Sequence, residues 1–222
     1  MRVGDPAVDL GTRWTYRHYR TWPEDERWEL IDGEAYDMRA APSLAHQRIV
    51  GTLYFRIRAW LEEHGLRCEA IIAPADVLLP RGDEADDEVD SVVQPDLLVV
   101  CDASKLRDDF VRGAPDLAVE VLSPWTSAKD QRQKYWLYER NGVREYWTVD
   151  PGLRCVRRYV LESGRYGEGE LFLADGRVES RVLAVPDGGS PFAVGCRELF
   201  DLPAASASAT PSVSGSAAPN PD

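Results

Sequence analysis

"Val-Gln-Pro-Asp-Leu-Leu-Val-Val" is the sequence of residues 93–100, and residues 117–124 read Leu-Ala-Val-Glu-Val-Leu-Ser-Pro. These two segments are the strongest indicators of the fold. Each is an apolar run rich in β-branched residues, a composition typical of a strand that is buried on both faces. Each run also carries one carboxylate, Asp96 in the first and Glu120 in the second. A buried carboxylate is costly unless it is paired or bound to a metal. The two runs therefore predict neighbouring strands whose acids have a partner.

Side-chain alternation predicts where these acids point. Leu117, Val119 and Val121 share one face of their strand, so Glu120 points the other way, towards a helix layer or a cleft. Asp96 follows Pro95, where a strand begins. Converging carboxylates are hard oxygen ligands suited to Mg²⁺ or Mn²⁺. Such an ion activates water and neutralises charge on a scissile phosphate.

The segment after the second run predicts a helix over residues 127–141, which ends at Asn141-Gly142. Its cations are candidates for contact with a phosphate, and Lys134 is preferred because aromatic residues that follow it place its turn near the core. Lys134 also lies four residues after Asp130, on the same helix face. A surface lysine paired with Asp130 is the alternative reading of this spacing.

The rest of the pattern mixes helices and strands. Asp32-Gly33 predicts a hairpin between strands at 27–31 and 34–38. A helix is predicted over 43–64, with Ser43 as its cap. The order predicts an α/β (α+β) fold with a central mixed sheet flanked by helices, an N-terminal hairpin and additional C-terminal strands.

Composition predicts one domain over residues 15–202, a flexible N-terminus at 1–14 and a disordered tail at 203–222. No apolar run approaches the length of a membrane span, and the N-terminus lacks a signal pattern, so we expect a cytoplasmic protein. The net charge of −12 argues against indiscriminate binding of nucleic acid. Six of the acids lie at residues 83–90, which reads as a solvated loop rather than a divalent-ion site.

Four cysteines are widely spaced and form no paired motif. This spacing favours buried free thiols over a zinc site or a disulfide framework.

Six segments together resemble the Uma family of restriction-endonuclease-like proteins, within the PD-(D/E)XK nuclease superfamily. They lie at residues 28–34, 41–50, 94–100, 113–124, 130–138 and 142–151. The resemblance implies a mixed sheet flanked by helices, with Asp96 as the metal-binding aspartate and Glu120 as the second acid. The superfamily pattern has a lysine two residues after that acid, where this chain has Leu122. Lys134 on the next helix is then the matching lysine.

Two further residues are candidates, Glu34 through the same resemblance and His46 through its position in the sequence. Glu34 matches an acid that can join the metal shell in related nucleases, and its alternative is a hairpin carboxylate in solvent. His46 lies near a helix N-terminus, where it can carry protons or contact substrate, and its alternative is a structural histidine.

The sequence thus predicts a nuclease that uses Mg²⁺ or Mn²⁺ to hydrolyse phosphodiester bonds in DNA. A catalytically silent scaffold or regulatory interaction module is the alternative, and RNA stays open as a substrate. A homodimer would suit double-strand cleavage. The basic residues expected to face substrate are Arg39, Arg48, Arg56, Arg58, Lys129 and Arg132.

Overall fold

The computed structural model describes residues 12–23, 25–38, 42–123, 128–186 and 188–201, without the side chains of residues 128–130. The predictions for residues 1–11 and 203–222 lie outside this range. Where the N-terminal segment is described, it contacts the rest of the chain, because Trp14 N donates to Gly33 O at 2.9 Å.

The described residues contain four α-helices, two short 3-10 helices at Asp86–Glu88 and Ala103–Lys105, and fourteen strands. The α-helices are α1 Tyr16–Tyr19, α2 Leu44–Glu63, α3 Ala128–Asn141 and α4 Cys196–Leu199. The strands are β1 Trp28–Ile31, β2 Glu34–Asp37, β3 Glu69–Ile72, β4 Asp76–Leu78, β5 Val92–Val93, β6 Leu97–Val100, β7 Phe110–Arg112, β8 Leu117–Val121, β9 Glu145–Asp150, β10 Cys155–Glu162, β11 Arg165–Tyr166, β12 Glu170–Phe172, β13 Arg177–Glu179 and β14 Ala193–Gly195.

The largest sheet has seven strands in the order β11-β10-β9-β8-β6-β3, with β12 also paired to β10. Strand β8 is antiparallel to β6 and parallel to β9, and α3 lies between β8 and β9 in the chain. A parallel pair needs such a crossover connection. The prediction of a mixed α+β fold around a central sheet is confirmed.

Both faces of the central strands are buried, as their apolar runs predict. Leu97, Val99, Leu117 and Val119 pack in one cluster with the buried face of α2. Leu98 and its neighbours on the opposite face pack with residues of α3. Helix α2 and helix α3 therefore cover opposite sides of the sheet, and Glu120 points to the α3 side.

The predicted hairpin is present as β1 and β2. Asp32 and Gly33 have φ values of 56° and 80°, the left-handed conformation that a two-residue hairpin turn requires at both positions. The predicted helix is present as α2, and the Ser43 hydroxyl caps it by accepting from His46 N at 3.2 Å. Together these elements form one wall of the region described below.

A second sheet, in the order β2-β1-β5-β4-β7, and a two-stranded sheet of β13 and β14 complete the fold. The acidic run lies in the chain between β4 and β5, and three of its acids are paired with arginines. These pairs are Asp86 with Arg112, Asp87 with Arg20, and Asp90 with both Arg13 and Arg81. Asp90 is buried, so the expectation of a solvated loop is wrong at that residue.

The expectation of four free thiols is wrong for two of them, because Cys68 and Cys101 form a disulfide. These residues flank β3 and β6, where Glu69 lies opposite Val100 in an antiparallel register. The next residue outward on each strand is a cysteine, so the pairing of the strands brings the two thiols together. The other two cysteines are free.

No helix in the described part of the chain is both long and apolar enough to cross a membrane.

Candidate active site

A cleft of about 280 Å³ lies where the β1–β2 hairpin, the start of α2, the ends of β6 and β8, and α3 meet. Its charged lining residues include Arg27, Glu29, His46, Asp96, Glu120 and Lys134. The structure therefore brings Asp96, Glu120 and Lys134, which the sequence predicts as site residues, to one place.

Lys134 lies at the centre of this group and is buried. Its Nζ donates to Glu120 Oε1 at 2.8 Å and to Glu29 Oε1 at 2.9 Å. Tyr138, one turn further along α3, donates its hydroxyl to the same Glu120 oxygen at 2.7 Å. Spacing of four on a helix aims both side chains at β8. Lys134 thus faces the sheet, and it is not the surface lysine of the alternative reading.

Glu29 is the site residue that sequence reasoning missed. It is 1% exposed, on a strand whose four residues are all buried. Its Oε1 also accepts from Gln94 N at 2.8 Å, which fixes the carboxylate beside Lys134. The signal was available, because Trp-Glu-Leu-Ile is another apolar run with a single acid.

Glu34, proposed as a metal ligand through the family resemblance, does not join this group. Its side chain is exposed and accepts from the Tyr36 hydroxyl at 2.8 Å. Glu34 lies opposite Ile31, beside the turn and on the edge strand β2, where solvent reaches it. Glu29 lies deeper on β1, which is paired on both sides, so it occupies the position at the cleft.

Asp96 lies at the other side of the cleft, where two donors hold one of its oxygens. Oδ2 accepts from Val121 N at 2.8 Å and lies 3.1 Å from His46 Nε2. His46 is 8% exposed, and its Nδ1 has no hydrogen-bond partner among the described residues. The predicted site histidine therefore contacts the predicted metal-binding aspartate.

Burial and like charges act on the ionisation of these groups. Burial and the nearby Asp96 and Glu29, opposed by Lys134, together raise the pKa of Glu120 to about 7. Burial alone would lower the pKa of Lys134, but Glu120 and Glu29 outweigh that effect and raise it above its ordinary value. Burial also raises the pKa of the Tyr138 hydroxyl well above 10. At neutral pH Lys134 is therefore a cation and Tyr138 is a neutral donor.

Asp116, which precedes the strand that carries Glu120, has structural contacts. It accepts from Cys101 N at 2.8 Å and from Arg144 at 3.0 Å, away from the cleft lining.

Of the six predicted substrate-facing cations, four have side chains that the structure describes. Arg39 lies outside the described residues, and the side chain of Lys129 is not described. The other four, Arg48, Arg56, Arg58 and Arg132, do not line the cleft. Two of these are tied to acids on the surface, Arg56 to Glu198 and Arg58 to Glu62.

A metal ion would find hard oxygen ligands here, although no group of three or more acidic, histidine or cysteine side chains in the described residues is arranged to hold one. Asp96 Oδ1 and Glu120 Oε2 make no hydrogen bond to any described residue, since their partners all bind the other oxygen. The Lys134 ammonium binds two carboxylates, those of Glu120 and Glu29, and acidic side chains outnumber Lys and Arg among the cleft's lining residues, so the formal charge of the lining is negative. Carboxylate ligands and this charge fit Mg²⁺ or Mn²⁺.

The fold and the cluster of acids with a lysine define a nuclease-like protein. The sequence matches the family described as "Uma2: Putative restriction endonuclease" over residues 16–191, and the chain belongs to this family. This confirms the resemblance drawn from the motifs.

Solved structures support the same fold. One is the crystal structure of a protein from Anabaena variabilis ATCC 29413, described as "a putative nuclease belonging to DUF820". It is 19% identical, with a TM-score of 0.64, and the match covers 85% of this chain and 98% of that one. No curated protein matches the chain.

Proposed function

We propose that the protein is an endonuclease that requires a divalent metal ion and hydrolyses phosphodiester bonds in DNA. The observation that carries this proposal is the position of Lys134, whose Nζ lies within 2.9 Å of Glu120 and Glu29 in a cleft shared with Asp96. Membership of a family described as restriction endonucleases supports the same class of reaction.

Asp96 and Glu120 would hold Mg²⁺ or Mn²⁺ through the oxygens that no described residue contacts. When bound, such an ion supplies an activated water and neutralises charge on the scissile phosphate. The raised pKa of Glu120 means that a proton competes with the ion for this carboxylate.

Lys134 acts as a cation in this proposal and does not act as a base. Its raised pKa keeps the ammonium group charged at neutral pH. A fixed positive charge in a buried site stabilises the negative charge that develops on the phosphate oxygens during hydrolysis. Lys134 therefore does not deprotonate water in this mechanism.

Glu29 and His46 are positioning residues. Glu29 holds Lys134 from the side opposite Glu120, and Gln94 N fixes Glu29 in turn. His46 holds Asp96 Oδ2, so that Oδ1 stays free for a metal ion. Supporting contacts of this kind orient ligands in metal sites.

The decisive experiment combines metal binding with cleavage. We expect the wild-type protein to bind Mn²⁺ in a calorimetric titration and to cut DNA in the presence of Mg²⁺ or Mn²⁺. Asp96→Asn should lose both properties, whereas Asp116→Asn, an aspartate outside the cleft, should keep both. A folded wild-type protein that binds Mn²⁺ but cuts neither single- nor double-stranded DNA would contradict the proposal.

One observation favours the alternative of a silent scaffold. Lys134 already has two carboxylate partners and Glu120 accepts two hydrogen bonds, as in a buried ion pair that is only structural. Such a scaffold would bind no metal, so the titration separates the two functions. The homodimer, the cytoplasmic location and DNA rather than RNA as substrate stay predictions.

A further inference from the structure

Arg27 differs from the other basic side chains that line the cleft because no acidic side chain in the described residues pairs with it. Lys134 is held by two glutamates and His46 by Asp96. The guanidinium of Arg27 has one hydrogen-bond partner, Gln94 Oε1, at 3.2 Å from its Nη2.

Its remaining polar atoms point to a missing ligand. Arg27 Nε is buried and has no hydrogen-bond partner among the described residues. Buried donors are nearly always satisfied in folded proteins, so an unsatisfied one calls for an explanation. Arg27 lines the same cleft as Asp96 and Glu120, so its guanidinium group borders the space that a ligand would occupy.

The composition of the chain strengthens this argument. The sequence has 38 acidic residues and 26 Lys or Arg residues, so carboxylates are in ample supply. Many surface arginines are tied to them, as in Arg81 with Asp32, Arg140 with Asp32 and Arg144 with Asp116. An arginine without a carboxylate in an acid-lined cleft is therefore free to bind an anion from outside.

The chemistry of the guanidinium selects that anion. Its planar fork of N–H donors matches the oxygens of a phosphate and binds them in pairs, which an ammonium group does not do. We propose that Arg27 binds a phosphate of the nucleic-acid backbone, next to the phosphate that is hydrolysed. This inference rests on the proposed function, and it assigns a substrate contact to an arginine that is not among the predicted substrate-facing cations.

The test measures binding apart from cleavage. A fluorescein-labelled duplex of 20 base pairs and random sequence is titrated with protein in Ca²⁺ at several salt concentrations, with anisotropy as the readout. Arg27→Ala should weaken binding about tenfold and lower the slope of log affinity against log salt by about one, the change expected for one lost phosphate contact. Arg27→Lys should keep the slope and lose part of the affinity, because it keeps the charge without the fork.

Arg67→Ala is the matched control. Arg67 is exposed and precedes β3 at the end opposite the cleft, so removing it changes net charge equally but touches no proposed contact. It should bind as the wild type does. Equal affinities and slopes for Arg27→Ala and wild type would overturn the inference.

Cleavage assays with Mg²⁺ and Mn²⁺ on the same proteins separate this inference from the proposed function. If the wild type and Arg27→Ala cut DNA equally, the inference fails and the nuclease stands. If Arg27-dependent binding occurs without any cleavage, the phosphate site stands and the nuclease fails. A wild type that neither binds nor cuts DNA overturns both.

Discussion

Two buried glutamates on adjacent parallel strands, Glu120 on β8 and Glu145 on β9, have opposite surroundings. Glu145 is 0% exposed, and both of its oxygens accept hydrogen bonds from neutral donors. These donors are Trp147 Nε1, the Ser180 hydroxyl, Arg181 N and Val182 N. Glu120 instead lies beside other charges and has one oxygen that no described residue contacts.

The completeness of its hydrogen bonds distinguishes a structural buried acid from a functional one. The hydrogen bonds of Glu145 are complete, and it has nothing to offer a ligand. Glu120 faces a cleft, and burial, together with the nearby Asp96 and Glu29, raises its pKa to about 7. Incomplete pairing beside a cavity, rather than burial alone, identifies the candidate site.

Replacing each acid by its amide should give the largest difference between the two glutamates in cleavage activity. Glu120→Gln should lower the cleavage rate by about 10³-fold, or about 4 kcal/mol in transition-state stabilisation, because it removes a charged metal ligand. Glu145→Gln should leave the rate per folded molecule unchanged. Rates are measured at low temperature, with circular dichroism used to determine the folded fraction. Equal losses in the two variants would mean that Glu120 has no special role.

In stability the order of the two variants should be the opposite, with the larger loss of unfolding free energy in Glu145→Gln. Both oxygens of Glu145 accept, so an amide must point its NH2 group at other donors, which costs about 2–4 kcal/mol of unfolding free energy. At pH 7, a glutamine at 120 keeps one oxygen for Lys134 and Tyr138 and relieves repulsion, so its change should stay within about 1 kcal/mol. Urea unfolding measures both, and a larger loss for Glu120→Gln would contradict this assignment.

The raised pKa of Glu120 should appear as a pH dependence of stability. The folded protein binds this proton more tightly than the unfolded chain does, whose carboxyl has its ordinary value of 4.5. The contribution is therefore complete below pH 4.5 and is lost as pH rises through about 7. Between these limits, the wild type should lose on the order of 3 kcal/mol more unfolding free energy than Glu120→Gln. Parallel curves for the two proteins would show that the pKa is not raised.

The smallest predicted effects come from removing one hydroxyl group beside each glutamate. Tyr138→Phe removes a donor to Glu120, and Ser180→Ala removes one to Glu145. Each should lower the free energy of unfolding by about 1 kcal/mol, the net value of one hydrogen bond. Only Tyr138→Phe should also reduce cleavage, by several-fold, because it alone borders the cleft group. A reduced cleavage rate in Ser180→Ala would contradict the assignment of Glu145 as purely structural.

The sequence predicted those parts of the site that depend on patterns within a segment. Asp96 and Glu120 are isolated acids in apolar runs, and Lys134 follows from a helix that packs beside them. Glu29 has the same pattern, but Glu34 lies five residues away on the same hairpin. Only the sheet order, with β2 at the edge and β1 inside, decides which of the two reaches the cleft.

Features that depend on contacts between distant segments could not be predicted. The strands β4, β5 and β7 have two or three residues each, too few to show a hydrophobic period. The disulfide depends on β3 and β6 being neighbours, which no local pattern shows. Arg27 looks like any surface arginine until the cleft around it is known.

The disulfide also fixes the register of the strands that lead to the cleft. Cys68 and Cys101 fix the alignment of β3 and β6 at one end, and four residue pairs later Ile72 lies opposite Leu97. Asp96 is the next residue. A slip of one position turns every side chain of a strand to its other face. The disulfide at the far end of β6 therefore determines which residue faces His46 at the start of that strand.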